Sequence, residues 1–242
     1  MFKESIITKA DTLKVMGIGN AGAMLEKYLT LNEIAIFPHT PIESSFWNGT
    51  DIGIIVTSDI EENSWESFQK EITIAREHNV ITFPIFISEK YPDVTDNIIV
   101  LNPRHFLREV DIYNYIEDSI KSIQSFISQH GFIDENLEDL RSLFKGNGRV
   151  AFSYYDYKTN ASRYQTSQNA LQMKAIIGSP ITDAKFLIWI ISSSENNIRN
   201  MDLPDFIEEF RSKINNDCTF IWTAIIDEKL TDGFHIYSWY KF

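Results

Sequence analysis

Short apolar runs alternate with helical patterns through the first hundred residues, and this alternation constrains the fold more than any other feature. The run at residues 52–56 is apolar throughout, as expected for a strand that is covered on both faces. Between the runs, apolar residues recur at helical spacing, which predicts helices over residues 23–31 and 64–78. Strands and helices in this order form a parallel, doubly wound, Rossmann-like sheet. The predicted strands are residues 13–16, 34–37, 52–56, 80–87 and 98–101.

Pro84 lies inside one of these predicted strands. Proline has no backbone N–H group and cannot donate to a neighbouring strand. We therefore expect the strand at residues 80–87 to lie at an edge of the sheet or to contain a bulge.

The middle of the chain carries an isoleucine stripe at positions 112, 116, 120, 123 and 127. This spacing predicts a long central helix over residues 111–130, ended by Gly131. A second pattern follows, with predicted strands at 150–155, 186–191, 218–226 and 234–242 and helices at 163–177 and 203–214, the latter capped by Asp202. We expect three parts: a nucleotide-binding-like domain (1–110), the central helix with an acidic turn (111–145), and a smaller α+β domain with a mixed sheet (146–242).

Charge and cysteine content exclude several classes of protein. The chain has 22 Lys and Arg against 34 Asp and Glu, a net charge of −12, and no basic run, so we expect neither nucleic-acid binding nor membrane insertion. Its single cysteine, Cys218, excludes a disulfide framework and favours a cytoplasmic location. The five histidines are dispersed without ligand-type spacing, so no metal site is predicted.

The first predicted strand runs into a turn with three glycines, Gly17, Gly19 and Gly22, with Asn20 between them. This spacing between a strand and a helix is typical of a turn whose backbone amides and helix dipole bind phosphate. Glycines at such positions also allow a strand and a helix to pack closely, and both interpretations stay open. A dinucleotide enzyme would need an acidic residue after the second strand, where this chain has Phe37, Pro38 and His39. We rank NAD binding lower for that reason.

No glycine occurs between Gly53 and Gly131. Backbone amides approach a polyphosphate closely where residues lack a Cβ atom. A second phosphate-binding loop in this span is therefore not expected.

Near the C-terminus, the apolar run at residues 221–226 leads through Asp227 and Leu230 to a last strand that ends in Phe242. With the glycine turn first and the long helix in the middle, this order resembles the tubulin superfamily, and specifically the bacterial tubulin homologue FtsZ. The resemblance covers nearly the whole chain from Leu13 onward. It implies that the last two strands form the closing hairpin of that family, although any antiparallel edge hairpin would give the same pattern.

The resemblance also implies where a guanine nucleotide, GTP or GDP, would bind. The family's glycine-threonine phosphate loop matches residues 57–64, where Asp59, Glu61 and Glu62 would repel a polyphosphate. We expect Ser58 or Asp59 to cap the following helix instead. Asn114 falls at the position that reads the guanine edge, and Glu109 replaces a stacking phenylalanine. A solvated helix surface explains Asn114 equally well.

The family's acidic turn, whose carboxylates reach into the nucleotide of a neighbouring subunit, matches Asp134, Asn136 and Asp139. The first two residues are exchanged relative to the family pattern. The resemblance thus implies Asp139 and Asn136 as a degenerate catalytic pair, in which water activation is weakened because an asparagine cannot act as a general base. Acidic residues at a helix start also stabilise the helix dipole without any catalytic role.

These features predict a degenerate FtsZ-like protein without efficient GTPase activity that acts through self-assembly or contact with another protein. The alternative is a GTP-binding, filament-forming GTPase of cell division or the cytoskeleton. Because the chain ends at Phe242, without the flexible tail through which FtsZ recruits partners, we expect a folded surface to contact any partner. A nucleotide-derived cofactor bound only by residues 17–22 is a third hypothesis.

Overall fold

The computed structural model describes residues 13–29, 36–38, 44–58, 64–90, 92, 97–128, 137–146, 148–157, 181–200, 203–227, 229–230 and 233–242. Its first sheet contains the strands β1 (Leu13–Gly17), β2 (Ile36–Pro38), β3 (Ile52–Ser58), β4 (Ile81–Ile87) and β5 (Ile99–Leu101). All neighbouring strands are parallel, in the order β2-β1-β3-β4-β5. Every residue of β3 and β4 is buried, which confirms the prediction of a sheet covered on both faces.

Helices cover both faces of this sheet. The helices α1 (Asn20–Tyr28) and α3 (Glu109–Ser128) share one core with the side chains of Val15, Ile54 and Ile85. The opposite face packs against α2 (Ser64–Glu77). A shorter helix, α4 (Leu137–Leu143), follows α3 in the chain and joins the first core. The predicted doubly wound arrangement is thereby confirmed.

The second sheet is mixed, as predicted. It contains β6 (Val150–Tyr157), β7 (Phe186–Ser193), β8 (Thr219–Ile226) and β9 (Phe234–Lys241), in the order β6-β9-β7-β8. Strand β9 is antiparallel to β6 and β7, whereas β7 and β8 are parallel. One face packs against α5 (Glu195–Asn200) and α6 (Leu203–Arg211), and the other faces α3 and the first sheet.

The central helix α3 joins the two sheets. Four isoleucines of the predicted stripe are buried in the shared core, at positions 112, 116, 120 and 123. Two side-chain hydrogen bonds attach α3 to the second sheet: the Tyr115 hydroxyl donates to the Phe152 carbonyl, and Trp239 Nε1 donates to Ser122 Oγ over 2.9 Å. The apolar stripe and these two hydrogen bonds hold α3 between the two sheets.

The closing-hairpin prediction is wrong. Strands β8 and β9 are consecutive in the chain but not paired, because β9 lies between β6 and β7 while β8 pairs with β7. Six of the eight residues of β9 are buried, on both faces of the strand, which suits a central position in the sheet. The sequence pattern could not separate two adjacent strands from two strands divided by a third.

The position predicted for Pro84 is also wrong, since β4 lies inside the sheet between β3 and β5. The N–H of Ile81 faces β3 and that of Ser88 faces β5, so alternation directs the backbone of Pro84 toward β5. The β5 ladder, however, begins only at Ile85. Pro84 therefore occupies a position where no N–H is required of it.

Other helices differ from their predicted bounds. Helix α1 begins at Asn20, three residues earlier than expected, and α6 ends at Arg211. The helix α5 was not predicted. The predicted helix 163–177, Gly131 and Asp202 lie outside the described residues. Within the part of the chain described, no helix is long and apolar enough to cross a membrane.

Candidate functional site

The three glycines of the turn between β1 and α1 have two different roles. Gly17 and Gly22 are buried, and a Cβ atom on Gly17 would lie 2.3 Å from the Cα atom and 2.8 Å from the nitrogen of Gly22. No side chain fits between these two backbones, so both residues serve the close packing of strand on helix. This favours the packing interpretation for two of the three glycines.

Gly19 and Asn20, by contrast, are exposed. Gly19 has φ 63° and ψ −141°, a conformation that is open in practice only to glycine. Gly19 is the N-cap residue of α1 and has no side chain that could cap the helix, and the first turn of α1 contains no acidic residue. The positive end of this helix dipole therefore faces outward at the carboxyl edge of the first sheet, which suits an anion.

The strand β3 ends at the same edge of the sheet. Ser64 Oγ donates to the Ser58 carbonyl over 2.7 Å, which ties the first residue of α2 to the last residue of β3. Thr57 is fully buried, and its hydroxyl has no hydrogen-bond partner in the described part of the chain. Asp59, Glu61 and Glu62 lie outside the described residues, so the predicted repulsion of phosphate stays a prediction. The Ser58 carbonyl accepts the bond from Ser64, and the predicted cap by Ser58 or Asp59 stays a prediction.

Asn114 is exposed on α3. Its neighbour Tyr113 is buried and stacks on Tyr28 with a centroid separation of 5.3 Å. Burial is the main cause that raises the pKa of Tyr113 to about 12, with Glu109 and Tyr28 adding to it. Tyr28 ends α1 and Asn20 begins it, eight residues or about 12 Å away at 1.5 Å per residue. The part of α3 that carries Asn114 thus contacts the C-terminal end of α1, whereas the glycine turn lies at the N-terminal end of that helix.

Asp139 lies at the opposite edge of the sheet. It belongs to the first turn of α4, which binds the turn before β4: the Arg141 guanidinium donates to the carbonyl of Asn79 over 3.4 Å and to its Oδ1 over 3.3 Å. Asn97, just before β5, donates to the Phe144 carbonyl over 2.6 Å. Both contacts lie where strands begin.

The distance between the two edges follows from the strand register. Gly17 pairs with Val56, and Val56 pairs with Ile85. Asn79 lies just before β4, whose first residue, Ile81, precedes Ile85 by four residues, about 13 Å at 3.3 Å per residue. Asp139 and Gly19 are therefore kept apart within one copy by the length of the sheet. Asn136 and Asp134 lie outside the described residues.

Sequence patterns did not reveal three residues that matter at these edges. Arg141 and Asn79 hold α4 in place across 62 residues of sequence, and no local pattern predicts such a pair. Leu107, just before α3, is 99% exposed. The sequence signal for Leu107 was an apolar residue close to two arginines just before a predicted helix. No group of three His, Cys, Asp or Glu side chains in the described ranges could hold a metal ion.

No protein-family model matches the chain, and no curated protein matches its sequence. Solved structures do match over most of its length. A dimer of FtsZ from M. jannaschii, described as empty, has a TM-score of 0.67 at 12% identity, over 97% of this chain and 89% of that one. TubZ from Bacillus thuringiensis serovar israelensis, a protofilament in a GTPγS form, has a TM-score of 0.65 at 8% identity, over 98% and 88%.

CetZ1 from Haloferax volcanii, a GDP-bound monomer, has a TM-score of 0.64 at 8% identity, over 95% of this chain and 93% of that one. Identities this low establish the fold and leave activity open. The predicted fold class and the structural resemblance to FtsZ are confirmed.

Proposed function

From the tubulin and FtsZ fold of this chain, we propose that the protein assembles head to tail with copies of itself and hydrolyses GTP inefficiently or not at all. One observation carries the proposal: the turn at Gly19 and the carboxylate of Asp139 lie at opposite edges of one parallel sheet. In a single copy these groups cannot act on the same ligand. In a row of copies, the α4 edge of one molecule faces the Gly19 edge of the next.

A contact of this kind is heterologous, and repeating it generates a filament unless the rotation closes a ring. The FtsZ dimer and the TubZ protofilament support this arrangement for the present fold. The ligand at the contact would be GTP or GDP, held by the open N-terminus of α1 at Gly19 and Asn20. The neighbours in GTPγS and GDP forms support that choice of nucleotide.

Poor hydrolysis follows from the chemistry of the residues that would take part. Two of the three turn glycines are used for packing, which leaves few backbone amides free to approach a phosphate. Of the three residues matched to the acidic turn, Asp134 and Asp139 carry carboxylates, and the family order of Asp134 and Asn136 is exchanged. Asn136 offers no base to activate water.

The alternative function is a GTP-binding, filament-forming GTPase of cell division or the cytoskeleton. The exposed Gly19 turn, open to an anion, favours it specifically. This function differs from our proposal in one measurable quantity, the GTP turnover per molecule. If the catalytic carboxylate comes from a second copy, that turnover must rise with protein concentration.

The deciding experiment combines sedimentation with GTP turnover over a hundredfold range of protein concentration. We expect pelletable polymer with turnover that stays low and flat. Turnover that rises with concentration and is abolished by Asp139→Asn would establish the GTPase instead. Protein that stays monomeric at every concentration, with GTP, GDP or neither, would overturn self-assembly. Mass spectrometry of the purified protein, with thermal shifts for NAD and guanine nucleotides, tests the identity of the ligand.

A further inference from the structure

The turn that leads into β3 contains an asparagine followed by a glycine, Asn48 and Gly49. It follows a short 3₁₀ helix, Ser44–Trp47, and both residues are exposed. The amide of Thr50 donates to the Trp47 carbonyl over 3.1 Å, which closes a turn around the Asn48–Gly49 peptide. The turn therefore presents this peptide bond at the surface.

An asparagine side chain is attacked by the backbone nitrogen of the following residue when the two can meet. The nitrogen bonds to the side-chain carbonyl carbon, and ammonia leaves with the proton that the nitrogen gives up, so a succinimide ring forms. Water then opens the ring at either carbonyl group and gives aspartate or isoaspartate. Glycine in the following position favours the attack most, because it has no Cβ atom to obstruct the approach or to restrict the backbone.

The Gly49 nitrogen is available for this attack. Within the described part of the chain, neither this nitrogen nor the carboxamide of Asn48 makes a hydrogen bond. Gly49 has φ 69°, and a Cβ atom added to it would meet no other atom within 4 Å. The space around the glycine is therefore open to water and to the movement that ring closure requires.

Asn79 shows how the same chain protects another exposed asparagine. Its Oδ1 accepts a hydrogen bond from the Arg141 guanidinium over 3.3 Å, so the carboxamide is restrained. The amide of the following residue, Val80, donates to the Ala75 carbonyl over 3.1 Å, which engages the attacking nitrogen. Val80 is also buried and β-branched, which hinders the approach. None of these three obstacles is found at Asn48 among the described residues.

One other asparagine in the sequence precedes a glycine, Asn147, and it lies outside the described residues. The glycine that follows it, Gly148, is closely packed, since a Cβ atom there would lie 2.6 Å from Lys241 Cε. Gly49 has no such neighbour. Its environment sets Asn48 apart from the asparagines that the structure describes.

We propose that Asn48 deamidates spontaneously in the folded protein and becomes aspartate and isoaspartate. Both products add a negative charge to the turn. Isoaspartate also inserts a methylene group into the main chain next to Trp47, whose buried side chain packs on β3: a Cβ atom on Gly53 would lie 2.6 Å from its Cζ3 atom. The ageing protein therefore loses stability around Trp47. The reaction requires water alone, and neither nucleotide nor a second copy takes part.

Incubating the folded protein in heavy-oxygen water tests the reaction, with a sample in urea for comparison. Hydrolysis of the succinimide during incubation labels the product, whereas deamidation during later digestion in ordinary water does not. Trypsin releases residues 28–70 as one peptide, and fragmentation assigns the acid to its position.

We expect labelled acid at Asn48 in both samples, formed faster at mildly alkaline pH because the attacking nitrogen must lose its proton. Asn79 should keep its amide in the folded protein. Labelled acid at Asn48 in urea alone would show that the turn protects this residue and would overturn the proposal. Absence of labelled acid from both samples would overturn it as well.

Asn48→Gln separates the effect on Trp47 from other changes during ageing. Glutamine must close a larger ring and reacts more slowly, and the exposed position leaves the core unchanged. After equal incubation, we expect a lower urea midpoint for the unmodified protein and an unchanged midpoint for the variant. Equal losses in the two proteins would overturn the link between Asn48 and Trp47.

Discussion

Gly17 and Gly22 lie against each other where β1 passes into α1, and this contact explains a pattern that the sequence left with two interpretations. Glycine spacing alone cannot distinguish a backbone that approaches a phosphate from a backbone that approaches another backbone. The structure decides by position, because both residues are buried and only Gly19 of the three is exposed. Predicting the turn was possible from sequence, whereas assigning its glycines required the distance between them.

The substitution Gly17→Ala should destabilise the protein strongly. Its Cβ atom would lie 2.3 Å from the Gly22 Cα atom, a backbone atom that cannot move without shifting α1. We expect a loss of about 1–3 kcal/mol or more in the free energy of unfolding, the usual range for overpacking. Urea denaturation measures it. Ala23→Ser changes an exposed residue in the first turn of α1 and should unfold like the unmodified protein. Equal denaturation midpoints for the two variants would show that α1 can shift away from β1 at little cost.

Tyr113 should make the protein sensitive to alkaline pH. Burial raises its pKa to about 12 in the folded state, whereas an unfolded tyrosine titrates near 10. Between these values the folded state binds the additional proton, so stability is complete below pH 10 and falls by up to about 1.4 kcal/mol per pH unit as the pH rises toward 12.

Comparing denaturation of Tyr113→Phe with the unmodified protein at pH 7, 10 and 11.5 tests this expectation. The variant lacks the titrating group and should lose less stability above pH 10. A pH dependence that is identical for the two proteins would contradict it.

At the scale of elements, α3 is attached to the second sheet by side chains that its apolar stripe does not include. Ser122 accepts a hydrogen bond from Trp239 across 117 residues of sequence, and both side chains are buried. The isoleucine spacing predicted the helix and its buried face, since periodicity reports which side of a helix is covered. It could not predict which element covers that side.

Ser122→Ala should leave the Trp239 N–H buried without a partner. The expected cost is about 1–3 kcal/mol in the free energy of unfolding, the desolvation cost of an unpaired buried donor. Ser119→Ala is a matched control, because Ser119 is equally buried on α3 but donates only to the Ile116 carbonyl of its own helix. It should change stability little. Chemical denaturation of both variants measures the difference, and equal losses would argue against a special role for the Trp239 bond.

The strand predictions succeeded and failed for different physical reasons. Continuous apolar runs identified strands of the first sheet because burial on two faces requires such runs. Pairing was less accessible, since β8 and β9 are consecutive in sequence but separated in space by β7. Pro84 shows the same limit. Proline is disfavoured inside a sheet because it lacks a backbone N–H, and only the register shows that β5 does not pair with β4 at this position.

At the scale of the whole molecule, the candidate site consists of two halves at opposite edges of the fold. The sequence placed Gly19 and Asn20 in the turn before α1 and Asp139 in the acidic turn, whereas Asn20 begins α1 and Asp139 lies in the first turn of α4. It carried no information on the distance between them. The parallel register supplies a separation of about 13 Å along the strands. The same register makes the two edges of each copy different, and under the proposed head-to-tail assembly a contact between unlike edges produces chains rather than closed pairs.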